Sequence, residues 1–166
     1  MGTKLATVAL VAATMAQTGP AAAQDRAAAI PDRPLVAIAR RNLTFGTVFP
    51  GIPTSVPSTH PRDAGEFEIQ GNAGGAVRVE FLLPTALVTP GGATLPIAFA
   101  ATDGSYDFSR GPPRRSPFNP HGPLVATLGP NGKLHVFLGG TVSPVPGQTS
   151  GTYVATISVT VFNLGI

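Results

Sequence analysis

The sequence predicts an all-β protein, a β-sandwich of seven to nine short antiparallel strands. The clearest observation is residues 151–162, where every odd position from Tyr153 to Val161 is apolar and the positions between are mostly hydroxyl-bearing. Successive side chains of a strand point to opposite faces, so this alternation predicts one buried and one outer row. The 20 glycines and 18 prolines follow no collagen period and suit short strands joined by turns. No stretch after residue 23 shows helical periodicity with capping residues.

Shorter stretches of the same kind predict the other strands. In the segment 77–83, Val77, Val79, Phe81 and Leu83 point inward and the charged residues between them outward. Further strands are predicted at 34–38 continuing into 43–45, and at 67–69, 86–88, 95–99 and 134–138. Proline-rich segments 52–63 and 102–123 are predicted to be exposed loops. In the last strand we expect Tyr153 to bury its ring and to hydrogen-bond its hydroxyl to a loop backbone.

The N-terminus has the pattern of a cleavable export signal. Residues 1–23 contain Lys4, an apolar run from Leu5 to Ala16, and a small-residue cleavage site ending at Ala23. We expect residues 24–34 to form a flexible extension and residues 35–166 a single domain. Export to the periplasm, cell surface or medium follows, and no run after the signal is long enough to span a membrane. The chain has no cysteine, so export brings no disulfide.

Charge and reactive residues argue against several classes of function. The net charge of the whole chain is only +3, which favours neither nucleic acid nor an anionic membrane as partner. The histidines His60, His121 and His135 lack metal-ligand spacing and are interpreted as surface or loop residues. Glu66, Glu68, and Glu80 alternate with apolar residues and are interpreted as the solvated face of strands. Asp103 and Asp107, in the predicted loop 102–123, are too few for a calcium loop.

No nucleophile elbow and no phosphate-binding glycine loop is present. The sequence therefore predicts a protein that is not an enzyme and that has no catalytic, metal-binding or cofactor-binding residues.

One short cluster of positive charge lies in the loop 102–123. Arg110, Arg114 and Arg115 are candidate contacts to a carboxylate- or phosphate-bearing partner. The same residues also suit the simpler role of keeping a proline-rich loop solvated. An alternative function follows from this loop, that of a monomeric secreted binding or adhesion module.

Three motifs resemble the DUF4402 family of exported bacterial proteins. They are Leu43-x-Phe45-Gly46-x-x-x-Pro50-Gly51, Val77-x-Val79-x-Phe81, and Gly139-Gly140 ahead of the alternating segment 151–161. The resemblance covers residues 35–162. The family is itself similar to pilus-subunit and spore-coat β-sandwiches. The resemblance implies an immunoglobulin-like sandwich and a non-catalytic, pilin-like subunit that pairs with copies of itself or related subunits by strand addition.

The resemblance also implies a contact segment. Residues 34–38, with Leu35, Val36 and Ile38, form a better donor strand than the alanine-rich extension, which Pro31 interrupts. The same segment is equally suited to be the first strand of its own domain.

Overall fold

The computed structural model describes residues 33–108 and 115–165, and within them the chain is all-β with no helix. Twelve strands lie in these residues, more than the seven to nine that the sequence predicts. They are β1 (Val36–Arg41), β2 (Thr54–Val56), β3 (Gly65–Gln70), β4 (Ala76–Leu82), β5 (Ala86–Val88), β6 (Thr94–Ala98), β7 (Gly104–Asp107), β8 (Ser116–Phe118), β9 (Leu124–Thr127), β10 (Lys133–Leu138), β11 (Gly140–Val142) and β12 (Ser158–Asn163).

The strands form three antiparallel sheets, an arrangement consistent with a β-sandwich. The largest sheet has five strands in the order β1-β3-β10-β7-β8, and the second has four in the order β2-β11-β6-β5. The third has three, in the order β12-β4-β9. All-β architecture is thereby confirmed, whereas the immunoglobulin-like topology stays a prediction.

Alternating apolar side chains build the core, as the sequence predicts. Val77 and Val79 of β4 are buried, and so are Val159 and Val161 of the neighbouring β12. The inner face of the five-stranded sheet contributes further residues to the same cluster, among them Ile69, which is fully buried. At about 1.5–3 kcal/mol for each buried aliphatic side chain, this shared core is the main source of stability.

The segment 151–162 is not the single strand that its alternation predicts. Val154 first forms an isolated bridge with Val88, with the Val88 amide donating to the Val154 carbonyl at 2.8 Å. Only from Ser158 onward does the chain pair with β4, which belongs to the three-stranded sheet, whereas Val88 belongs to the four-stranded one. The chain changes partner sheet between these points, which interrupts the hydrogen-bond ladder while the side-chain alternation continues: Tyr153 and Ile157 are both buried.

Tyr153 confirms the role predicted for it. Its side chain is 1% exposed, and its hydroxyl donates to the Thr149 carbonyl at 2.5 Å. The Gln148 amide donates to the same hydroxyl at 2.6 Å. The ring is therefore anchored in the core while its polar end holds the turn before it.

The two predicted loops contain strands that the sequence did not indicate. Residues 52–63 include β2, and residues 102–123 include β7 and β8, the last two strands in the order of the five-stranded sheet, with β8 at its edge. Pro117 lies inside β8, and an edge strand tolerates it because its missing N–H has no second neighbour to bond. The stretch that forms β9 was also missed, since four residues are too few to show a period.

The predicted signal, residues 1–23, lies outside the described residues, as does most of the predicted extension 24–34. Of that extension Arg33 and Pro34 are described, and the Arg33 amide donates to Asn72 Oδ1 at 2.8 Å. The single-domain organisation stays a prediction. Within residues 33–108 and 115–165 the structure offers no helix with the length and apolarity to cross a bilayer.

Candidate functional site

The outer face of the five-stranded sheet carries a row of buried ionisable side chains. Glu66 and Glu68 of β3 are 5% and 2% exposed, and His135 of β10 is 4% exposed. The interpretation of Glu66 and Glu68 as solvated, and of His135 as a surface residue, is therefore wrong. These positions do point away from the apolar core, as their alternation with Phe67 and Ile69 predicts, but neighbouring side chains cover them.

Glu68 lies at the centre of this row and accepts three contacts. Arg40 Nε donates to its Oε2 at 2.9 Å, and Lys133 Nζ lies 2.8 Å from its Oε1. The Gln70 amide donates to the same Oε1 at 2.6 Å. Burial by itself raises the pKa of Glu68, but the hydrogen bonds from Arg40, Lys133 and Gln70 and the charge of Arg40 outweigh it and lower the pKa to about 2.

Glu66 pairs with Arg41, which follows Arg40 on β1. Its Oε2 lies 3.3 Å from Arg41 Nη2, and its Oε1 lies 3.3 Å from His135 Nδ1. Arg41 also donates from Nε to the Ala64 carbonyl at 2.9 Å. Two adjacent arginines of β1 thus each contact one buried carboxylate of β3. We name these four residues, Arg40, Arg41, Glu66 and Glu68, the arginine–glutamate pairs.

Arg115 lies over the same face and is engaged with the protein itself. Its guanidinium stands 3.5 Å from the centre of the Phe137 ring and donates to the Ser58 carbonyl at 2.5 Å. Burial, and then the nearby charge of Arg41, lowers the pKa of Arg115. Of the three arginines predicted to contact a partner, Arg110 and Arg114 lie outside the described residues, and Arg115 is half-buried over the sheet.

The other predicted contact residues lie on β1 or immediately before it, at the open edge of this sheet. Leu35 and Ala37 pack against the core, while Val36 and Ile38 stand opposite Gln70 and Glu68 on the outer face. Every residue of β1 is partly or fully exposed, and none is buried. The segment predicted as a donor strand is therefore the edge strand of its own sheet in this structure.

A one-residue connection joins β1 to the core. Asn42 is exposed, whereas the next residue, Leu43, is 1% exposed and packs in the core cluster. The Thr44 amide then donates to the Asp63 carbonyl at 2.8 Å. Asn42 is thus an exposed residue between the edge strand β1 and the buried chain that begins at Leu43.

The remaining reactive side chains of the described residues include a buried serine and a histidine–aspartate pair at the surface. Ser105 Oγ, buried on β7, has no hydrogen-bond partner among them. His60 Nδ1 lies 3.1 Å from Asp63 Oδ2 at the surface. Across residues 33–108 and 115–165 there is no group of three side chains able to hold a metal ion.

A shallow apolar groove of about 380 Å³ lies where β4 passes into β5. Phe81, Leu83 and Ile97 line it, and His121 closes one end with Nε2 placed 2.7 Å from the Phe99 carbonyl. The Phe99 carbonyl is thus the hydrogen-bond partner of that ring nitrogen. The groove therefore offers apolar contact but few polar groups to orient a ligand.

The contact segment that the sequence predicts corresponds to β1, and sequence reasoning missed the arginine–glutamate pairs. The available signal was the Glu-x-Glu spacing in a predicted strand, together with the adjacent Arg40 and Arg41 before another. Residues two apart on a strand share a face, so Glu66 and Glu68 were expected to lie side by side. Which strand lies next to them was not encoded in that spacing.

A scan of the chain against protein-family models found no match, and a search of curated proteins found no similar one. The resemblance to the DUF4402 family stays a prediction.

Proposed function

We propose that this protein is an exported, non-catalytic structural or surface subunit, pilin-like in that copies join by pairing β1 of one with β3 of the next. The observation that carries the proposal is the position of β1. It lies at a sheet edge, β3 is its only hydrogen-bonded neighbour among the described strands, and an exposed residue connects it to the core. An edge strand of this kind is the element that strand-addition assemblies exchange.

The contacts of β1 permit exchange because they are the same in either arrangement. Val36 stands opposite Gln70, Ala37 opposite Ile69 and Ile38 opposite Glu68. If β1 turns away at Asn42 and pairs with β3 of another copy, each of these contacts is re-formed. The free-energy difference then depends mainly on the connection at Asn42 and on the protein concentration.

Repetition of that step gives an open chain. Each copy offers one strand and one acceptor edge, two different surfaces, so the contact is head-to-tail and does not have to close on itself. This geometry suits a surface fibre or layer more than a discrete dimer.

The state of the buried charges supports a non-catalytic role. A general base works best with a pKa near the operating pH, whereas contacts from Arg40, Lys133 and Gln70 hold the pKa of Glu68 at about 2. Both carboxylates are bound by cations of neighbouring strands. Export rests on the signal predicted in residues 1–23.

A disulfide that fastens β1 to its own domain tests the proposal. Val36 and Gln70 are directly opposed, and such pairs lie at a Cα separation that a disulfide accepts. The chain has no native cysteine to interfere. We expect Val36→Cys/Gln70→Cys to stay monomeric when oxidised and to assemble with rising concentration when reduced, as sedimentation velocity would measure.

The matched control is the single variant Val36→Cys, which cannot form the internal bond. A native chain that stays monomeric at every concentration would contradict the proposal and favour the alternative of a monomeric binding module that uses residues 102–123. Equal assembly of the oxidised and reduced double variant would show that β1 is not the exchanged element.

A further inference from the structure

The arginine–glutamate pairs add side-chain contacts to the backbone hydrogen bonds through which any strand could pair with β3. Backbone hydrogen bonds are common to any added strand and carry no sequence information. Glu66 and Glu68, in contrast, are buried carboxylates, and a buried charge is costly without a cation. Resting on the proposed function, we infer that these two carboxylates select the strand that pairs with β3, and that the selected strand is β1 of a second copy of this chain.

The geometry gives the selection two parts. Arg40 Nε lies 2.9 Å from Glu68 and Arg41 Nη2 lies 3.3 Å from Glu66, so two adjacent cations meet two carboxylates placed two residues apart. A bulge between Ala39 and Arg41 makes this match possible, because the extra residue lets neighbouring positions face the same side. A strand with regular alternation presents only one of two adjacent arginines to that face.

The carboxylates also reject the wrong strand. Without β1, Glu68 keeps Lys133 and Gln70, so this carboxylate remains partly compensated at the empty edge. An added strand that brings apolar or acidic side chains to this place removes water from both carboxylates without supplying a cation. The occupant that matches is the strand that this chain itself carries.

Trapping in two separate pools tests the inference. One pool carries Val36→Cys together with Glu66→Gln/Glu68→Gln, so that its own β3 no longer holds β1 through the carboxylates, and the other, with a larger affinity tag, carries Gln70→Cys. A disulfide between the two chains forms only when β1 of one copy lies on β3 of the other. Adding Arg40→Gln/Arg41→Gln to the first pool should lower the rate of covalent heterodimer formation about 10- to 100-fold, the value of one charged hydrogen bond.

The control is Arg62→Gln in the same pool, which removes an exposed arginine outside β1 and should leave the rate unchanged. Equal rates with and without Arg40 and Arg41 would overturn the selection while leaving strand exchange in place.

A complete absence of heterodimer in the unmodified background would overturn the proposed function instead. The role of the carboxylates can then be tested within a single chain. The measurement is the rate at which a thiol reagent modifies the introduced thiol of the Val36→Cys variant. Loss of both arginines should raise that rate about 10- to 100-fold if the carboxylates hold β1. An unchanged rate would overturn the inference.

Discussion

Replacing Glu68 by Gln is expected to remove a large part of the acid sensitivity of this protein. Glu68 is 2% exposed, and burial, which alone raises its pKa, is outweighed by Arg40, Lys133 and Gln70, which lower the pKa from the ordinary 4.5 to about 2. A carboxyl group whose pKa is lower in the folded than in the unfolded state stabilises the fold above the unfolded pKa. That stabilisation is lost as the pH falls from about 4.5 to about 2.

The size of the effect follows from the two pKa values. A fall from 4.5 to about 2 corresponds to about 3 kcal/mol of unfolding free energy at neutral pH. At pH 3 most of the unfolded carboxyl is protonated and the folded one is not, so about 2 kcal/mol of that amount is already lost. Glu68→Gln should therefore be less stable than the native chain by about 3 kcal/mol at pH 7 and by only about 1 kcal/mol at pH 3.

Urea unfolding followed by circular dichroism at pH 7, 4 and 3 measures both differences. The matched control is Glu80→Gln, because Glu80 also pairs with an arginine, Arg78 at 2.9 Å, but its side chain is 43% exposed. An exposed pair contributes at most about 1 kcal/mol, so the stability difference between Glu80→Gln and the native chain should stay small at all three pH values. A Glu68→Gln variant whose stability falls as steeply with acid as the native chain would refute the argument.

Two further substitutions test the packing around the core. Tyr153→Phe removes the hydroxyl that holds the preceding turn and should lower the free energy of unfolding by about 1 kcal/mol, measured as a urea midpoint shift at constant slope. The control Tyr106→Phe removes a hydroxyl from a half-buried ring on β7 and should shift the midpoint less, and equal shifts would argue against the hydrogen bond. Gly139→Ala would place a Cβ 2.6 Å from the Ser58 amide nitrogen and should cost about 1–3 kcal/mol or more in thermal unfolding. Gly147→Ala, with no atom within 4 Å of the added carbon, is the control and should be nearly neutral; a tolerated Gly139→Ala would show that the segment at Ser58 is not packed as described.

The fold class and the inward side of each long strand could be predicted because both follow from local pattern. Alternation in β4 and through residues 153–161 placed Val79, Tyr153 and Val159 in the core, as the structure confirms. Strands of three or four residues could not be predicted, since a two-residue period needs several repeats to show. Pro117 added to this, because proline excludes a central strand and leaves an edge strand such as β8 open.

The candidate site was predicted only in part. The sequence could predict that Val36 and Ile38 lie on a strand, because a proline-bounded apolar segment near the start suits an edge strand. Burial of Glu66, Glu68 and His135 was not, because alternation tells which face a side chain occupies and not what covers that face.

Local chemistry in the chain by itself determined that strands form, which of their faces are apolar, and that no cysteine contributes to stability. Tertiary structure alone decided that β3 lies between β1 and β10, an order that brings Arg40 and Lys133 to the same carboxylate. The physical reason is the range of the interactions. Side-chain alternation acts between residues two apart, whereas the contact between Lys133 and Glu68 depends on which distant strands the whole core brings together.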